Sequence, residues 1–271
     1  MKIWMLGSGS AGNAVLVECD GTRILVDAGF GTRTLAGRLK TIGVDPASIE
    51  ACVVTHEHSD HVKGVGAAAK KWGWAVYATA GTASGSDFGG APSVRTFAPG
   101  ATLDLTRISI ATTATPHDAA ESVGFVITGR SSGARAGVFY DIGHVSEAIA
   151  AACVDLDILV LESNHDDHML RNGPYPRWLQ ARISCDTGHL SNACAGDFAR
   201  AALTRQVNHL VLAHLSEKNN SRELALGSMR SAIARSKFRG TLTAAAQDTV
   251  VGPFEPRGDR AEAPMQYGLF G

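Results

Sequence analysis

The chain has 271 residues, 45% of them hydrophobic and 19% charged, with a formal net charge of −1. That composition supports a sizeable buried core and argues against disorder. The near-neutral balance excludes a protein that coats nucleic acid by bulk charge. Thirty glycines and a 6% aromatic content fit a loop-rich α/β enzyme better than a helical bundle. Apolar runs stay well below the ~18 residues of a membrane span. The N-terminus lacks the basic stretch and apolar block of a signal peptide. Cys19, Cys52, Cys153, Cys185 and Cys194 are odd in number and include no CxxC pair. They predict a reducing, cytoplasmic setting rather than a disulfide framework or a thiolate-bound zinc.

In chain order, residues 2–6 read as a strand, followed by a glycine-rich turn over 7–13. Strands over 14–18 and 22–26 flank Cys19-Asp20-Gly21, a hairpin signal with Asp-Gly at its tip. A helix over 35–42 stops at Gly43, and the apolar run 51–55 suits a buried strand. Residues 62–72 read as one helix and 75–78 as a strand. Residues 79–93, rich in Gly, Ser and Ala, read as a loop. Strands follow over 94–97, 109–115, 123–128 and 136–140, then a helix over 146–152 and a strand over 158–162. Helices are expected over 166–170, 176–182, 192–203 and 222–234, with a strand over 210–212. Segments 241–245 and 249–254 close the chain as a strand pair. The reading is one domain over 1–255 and a polar tail over 256–271. Two layers of sheet covered by helices would bury these elements.

Residues 55–61 read Thr55-His56-Glu57-His58-Ser59-Asp60-His61, directly after a predicted buried strand and before a helix. Three imidazoles and a carboxylate in six residues form an HxHxDH packet of nitrogen and oxygen donors suited to Zn(II), Mn(II) or Fe(II). On extended chain His56 and His58 point the same way and can share one ion. Asp60 and His61, where the chain turns into a helix, can face a second. One packet cannot close two sites. His117, Asp141 and His214 each stand where a predicted strand gives way to a loop, as do many site residues on sheet scaffolds. Singly, each reads more readily as structural than as a ligand; in order behind HxHxDH they reinforce one another.

The sequence resembles the metallo-β-lactamase-fold hydrolases over residues 3 to 216. The carriers are an early Asp in Leu25-Val26-Asp27-Ala28-Gly29, the HxHxDH packet, and then His, Asp and His at later strand ends. The stretches Thr115-Pro116-His117-Asp118-Ala119-Ala120-Glu121, Leu161-Glu162-Ser163-Asn164-His165-Asp166, Gly188-His189-Leu190-Ser191-Asn192 and Ala213-His214-Leu215-Ser216-Glu217-Lys218-Asn219-Asn220 narrow it. They resemble the YycJ/WalJ-like branch. The resemblance implies an α/β fold, the four-layer αββα sandwich of metallo-β-lactamase type. It implies two divalent ions, Zn or Mn, one on His56, His58 and His117 and the other on Asp60, His61 and His214. Asp141 bridges them, and Asp27 supports the centre without touching either ion. The 24 positions from His117 to Asp141 leave no room for the substrate arm of tRNA 3′-processing members. The 73 positions from Asp141 to His214 are too few for a further nucleic-acid-clamping domain.

The implied activity is phosphodiester hydrolysis by a hydroxide held between the ions, which Asp60 helps to aim. The branch points to a 5′→3′ exonuclease acting on DNA. The alternatives are a hydrolase of a small cyclic phosphodiester or other small ester, and a non-catalytic metal-binding module. His189 is the expected proton donor to the leaving group, with Glu162 orienting it. The competing readings are a histidine that packs at a helix start and a carboxylate in solvent. His165, Lys218, Asn219 and Arg222 are expected to meet substrate. Lys218 and Arg222 belong to a block over 200–240 with eight Lys or Arg and two acidic residues. The turn over 7–13 reads as a tight connection in preference to a phosphate cradle.

Overall fold

Each central strand is apolar on both of its faces, and that pattern forces a layered arrangement. In the computed structural model, which describes residues 1–258, the strands form two seven-stranded mixed sheets. The tail expected over 256–271 lies outside the described residues from position 259 onward. In the first sheet β1 (Lys2–Gly7), β2 (Ala14–Cys19) and β3 (Thr22–Val26) are antiparallel neighbours. Asp20 and Gly21, at φ 52° and 85°, make the two-residue turn between Cys19 and Thr22, as the Asp-Gly signal predicts. Next come β4 (Ala51–Val53), β5 (Ala75–Thr79) and β6 (Ser93–Phe97), all parallel to β3.

The second sheet starts with β7 (Thr102–Asp104), β8 (Ile108–Ala114) and β9 (Val123–Gly129), antiparallel to one another. It continues with β10 (Arg135–Phe139), antiparallel to β9. Then β11 (Ile158–Glu162), β12 (His209–Ala213) and β13 (Thr241–Ala244) follow, all parallel to β10. The sequence does not anticipate β7, whose three residues are too few for an alternation to register. The two closing segments do not pair with each other. β13 adds to β12, whereas β14 (Val251–Phe254) adds to β1 in the first sheet. Adjacency in sequence is a weak guide to pairing where each sheet has an open edge.

Strand alternation sorts the core into three layers. Ile3, Met5, Val15, Val17, Ile24 and Val26 face Phe125, Ile127, Val138, Val160 and Val211 between the sheets. Trp4, Leu6, Leu16 and Leu25 point outward against Leu35 and Leu39 of α1 (Thr32–Thr41) and Val65, Ala68 and Ala69 of α3 (Val65–Trp72). On the far side Phe139, Leu159, Leu161, Leu210 and Leu212 meet α5 (Glu147–Ala152), α8 (Asn192–Ala202) and α9 (Arg222–Ile233). The result is a four-layer αββα sandwich.

The helix expected over 62–72 is divided. α2 (Ser59–Val62) ends before α3 because the Gly64 amide donates to the Ala28 carbonyl at 2.8 Å, and a Cβ at Gly64 would collide with the Phe30 carbonyl. The loop expected over 79–93 contains α4 (Ala80–Ser84), started by the Thr79 hydroxyl accepting from the Thr82 amide. α6 (Asp167–Asn172) and α7 (Arg177–Ser184) complete the set. The Thr55 carbonyl accepts from the Val123 amide at 3.0 Å, so the chain beyond β4 meets the start of β9. At that edge the strand-end residues of both sheets converge.

Candidate metal centre

Asp27 and His214 directly follow β3 and β12, and Asp141 comes two residues after β10. All three have positive φ, at 59°, 53° and 53°. Residues with a Cβ are uncommon there, and the conformation costs on the order of 1–3 kcal/mol each. Surrounding hydrogen bonds hold them and aim their side chains into one space.

The HxHxDH packet behaves as its spacing requires. His58 is extended, at φ −62° and ψ 145°, and precedes the first turn of α2. Donor atoms of His56, His58 and His117 come within 4.8 Å of one another, and so do those of Asp60, His61 and His214. Asp141 touches both groups. Its Oδ2 lies 2.9 Å from His61 Nε2, and its Oδ1 lies 3.2 Å from His214 Nδ1 and 3.9 Å from His117 Nε2. Two triads of donors thus share one carboxylate.

Burial pushes His56 and His117 below the ordinary imidazole range, which keeps them in the neutral form that binds metal. Burial also opposes charge on His61, but Asp141 and Asp27 outweigh it and lift that pKa well above normal. Against the same opposition Asp141, Asp60 and Glu162 push His214 up to about 10. The carboxylates of this space attract positive charge, which a divalent cation supplies as readily as a proton does. His56 Nε2 is buried with no hydrogen-bond partner, as expected of a ligand atom reserved for an ion. The donor set, imidazoles with one shared carboxylate, fits a divalent transition metal.

A further ring of residues fixes these donors. The fully buried Asp27 accepts from the Thr55 amide at 2.8 Å, the Thr55 hydroxyl at 2.7 Å and the Tyr140 hydroxyl at 2.8 Å. It also lies 2.7 Å from His61 Nδ1, which leaves Nε2 for an ion. The glycine turn is a tight connection with a purpose the sequence does not reveal. Asn13 Nδ2 reaches Asp60 Oδ2 at 3.3 Å and His61 Nε2 at 3.2 Å. The Ser8 hydroxyl accepts from the His214 amide at 2.8 Å. Gly29 is required because a Cβ there would collide with the Asp60 carbonyl oxygen. Tyr140→Phe removes one buried hydrogen bond to Asp27 and is expected to cost about 1.5–3 kcal/mol. Urea unfolding checks this, and an unchanged midpoint would remove Tyr140 from the network.

Residues 22–215 match the β-lactamase superfamily domain. The chain is 33% identical over 238 residues to the exodeoxyribonuclease YycJ of Bacillus anthracis, covering 86% of this chain and 89% of that protein. The chain belongs to the metallo-β-lactamase superfamily, in its YycJ/WalJ-like branch. It is likewise 33% identical over 242 residues to the exodeoxyribonuclease WalJ of Streptococcus pneumoniae, covering 86% of this chain and 88% of that one. The crystal structure of the metallo-β-lactamase fold protein YhfI from Bacillus subtilis superposes with a TM-score of 0.69 at 18% identity. That match covers 92% of this chain and 98% of the other, and shows the shared fold. No helix among the described residues is long and apolar enough to cross a membrane.

Beside the two triads of this superfamily member stands a third group. Glu162 is fully buried rather than solvated. Its Oε1 lies 2.8 Å from His189 Nδ1 and 3.1 Å from His214 Nδ1. Its Oε2 accepts from the Ile142 amide at 2.7 Å and the Leu190 amide at 3.2 Å. Burial disfavours a charged His189, yet Glu162 and Asp141 raise its pKa above the ordinary value. Ser191 caps α8 through the Cys194 amide, so the helix start does not need the His189 ring.

A cavity of about 220 Å³ opens against His58 and His189, walled by Asp118, Gly188, Tyr175, Leu179, Arg182 and Ile183. The cation at this wall is Arg182, a position the charge count along the sequence does not single out. Of the residues expected at substrate, Lys218 is exposed, whereas Arg222 turns its guanidinium to the Ala244 carbonyl at 2.9 Å. His165 and Asn219 are buried in the structure, with His165 Nδ1 and both polar ends of Asn219 unpartnered. None of these four lines the cavity. His144 and His168 are exposed, and His209 bonds to Thr241 and Glu255 away from the centre.

Proposed function

We propose that the chain is a dinuclear, divalent-metal-dependent phosphodiester hydrolase that degrades DNA from a 5′ end. The observation that carries this reading is the position of Asp141 between the two donor triads, 2.9 Å from His61 and 3.9 Å from His117, with the His189–Glu162 pair 2.8 Å apart beside them. In this reading His56, His58 and His117 hold one ion and Asp60, His61 and His214 the other, each of them Zn or Mn. Bound ions would supply Lewis acidity, which activates water near neutral pH and offsets charge on the phosphoryl oxygens.

The protein's own groups do the rest. Asp60, with its side chain partly open to solvent, accepts a hydrogen bond from the attacking water and aims it. Glu162 engages His189 Nδ1, which leaves Nε2 as the proton donor to the departing oxygen. No serine or cysteine nucleophile is needed. The names of the relatives from Bacillus anthracis and Streptococcus pneumoniae support DNA as the polymer. The 220 Å³ of the cavity favours a second reading, a small cyclic phosphodiester as substrate.

Digestion of end-labelled linear duplex DNA by metal-loaded protein, beside circular DNA and a His58→Ala control, separates the two. Progressive loss from the 5′ end, absent on circles and absent in the variant, is the expected result. Turnover of small phosphodiesters with no loss of DNA would replace the exonuclease reading with the small-substrate one.

A further inference from the structure

We infer that α7 is a stacking platform for an unpaired DNA strand end, with Trp178 and Tyr175 holding bases and Arg182 holding the adjacent phosphate. The inference rests on the phosphodiesterase reading above and names how its polymer is engaged. α7 contains no buried residue, so the core does not account for its apolar side chains. Trp178 is 67% exposed, the most exposed large hydrophobic among the described residues. Trp178 and Arg182 are four residues apart on α7, which places them on one side of the helix, and Tyr175 stands just before its N-terminus at the same cavity as Arg182. Tyr175 and Arg182, with Leu179 and Ile183, also wall the cavity that reaches His58 and His189. The aromatic surface is therefore continuous with the candidate centre.

Charge points to the same occupant. Residues 171–185 carry Arg171, Arg177 and Arg182 and no Asp or Glu; Arg171 and Arg177 border a separate depression beside Asp167, and Arg182 is the cation at this cavity. The Arg182 Nε donates to Asp118 at 2.6 Å, and among the described residues no other bond engages its two terminal nitrogens. Asp118 in turn lies 3.4 Å from His117 Nε2, which ties the guanidinium to a residue of the first triad. A positioned guanidinium with free donors beside exposed rings is the combination that binds single-stranded nucleic acid without sequence preference. Duplex DNA hides its base faces, so this surface selects a frayed or overhanging end.

Trp178 fluorescence tests the inference without activity. Of the four tryptophans, Trp4 and Trp74 are buried and Trp72 is partly covered by the outer core of the first sheet. A short single-stranded oligonucleotide is titrated into metal-free protein. Quenching is expected in the wild type and lost in Trp178→Phe, which removes the reporter; by competition against a labelled oligonucleotide, affinity should be retained in Trp178→Phe and fall about 10-fold in Trp178→Ala. In the metal-loaded protein the same variant should raise KM for an overhanging DNA end by a similar factor. Arg182→Gln should weaken binding and flatten its salt dependence. Oligonucleotide affinity and KM within twofold of wild type in Trp178→Ala would overturn the inference. Binding through Trp178 without cleavage would uphold it and defeat the exonuclease reading. Cleavage indifferent to Trp178 would do the reverse.

Discussion

Asp141→Asn should reduce phosphodiester turnover by more than the roughly 100-fold that loss of a group supporting a metal ligand costs. The reason is its position. Asp141 is 2% exposed and is, among the described residues, the one carboxylate near members of both triads, at 2.9 Å from His61 and 3.9 Å from His117. Asn keeps the shape and one acceptor but loses the charge that offsets two cations. The substitution also leaves His61 and His214 with less opposing charge in a buried space, so metal content should fall along with activity. Elemental analysis of the purified variant, with turnover of bis(p-nitrophenyl) phosphate, checks both. Wild-type turnover with a full metal complement would show that the two triads do not work as one centre.

His189→Ala should cost about 10²- to 10⁴-fold on DNA, the range that general acid catalysis contributes. The loss should nearly vanish on bis(p-nitrophenyl) phosphate, because p-nitrophenolate leaves without being protonated. His189 suits the task. Glu162 lies 2.8 Å from Nδ1, and with Asp141 it overcomes burial and raises the ring's pKa, favouring a proton near neutral pH. A purely structural role predicts equal losses on both substrates. Comparing kcat for the two substrates decides between these roles, and parallel losses would remove His189 from the chemistry.

The parts of the site that are contiguous or mark strand ends were readable from the sequence. HxHxDH announces itself because its donors fall within six consecutive residues, and the structure brings His117, Asp141 and His214 to it from three other strand ends. The supporting contacts were not readable because they join distant positions with common residues. Ser8 meets His214 across 206 residues, and Tyr140 meets Asp27 across 113. Charge counted along the chain favoured Lys218 and Arg222, yet the guanidinium of Arg222 is directed to Ala244. Arg182 lies in a segment whose charge count is unremarkable, and only folding sets it at the cavity. The fold was legible wherever strands alternate or run apolar. It was not legible where one backbone contact decides, as at Gly64, or where two late strands choose different sheets.

The most direct test of the account is activity against metal stoichiometry. Metal-free protein is titrated with Zn or Mn while turnover of bis(p-nitrophenyl) phosphate is followed. Two donor triads sharing Asp141 predict activity that saturates at two equivalents per chain and is lost to chelator. Saturation at one equivalent, or turnover indifferent to metal, would contradict the dinuclear centre.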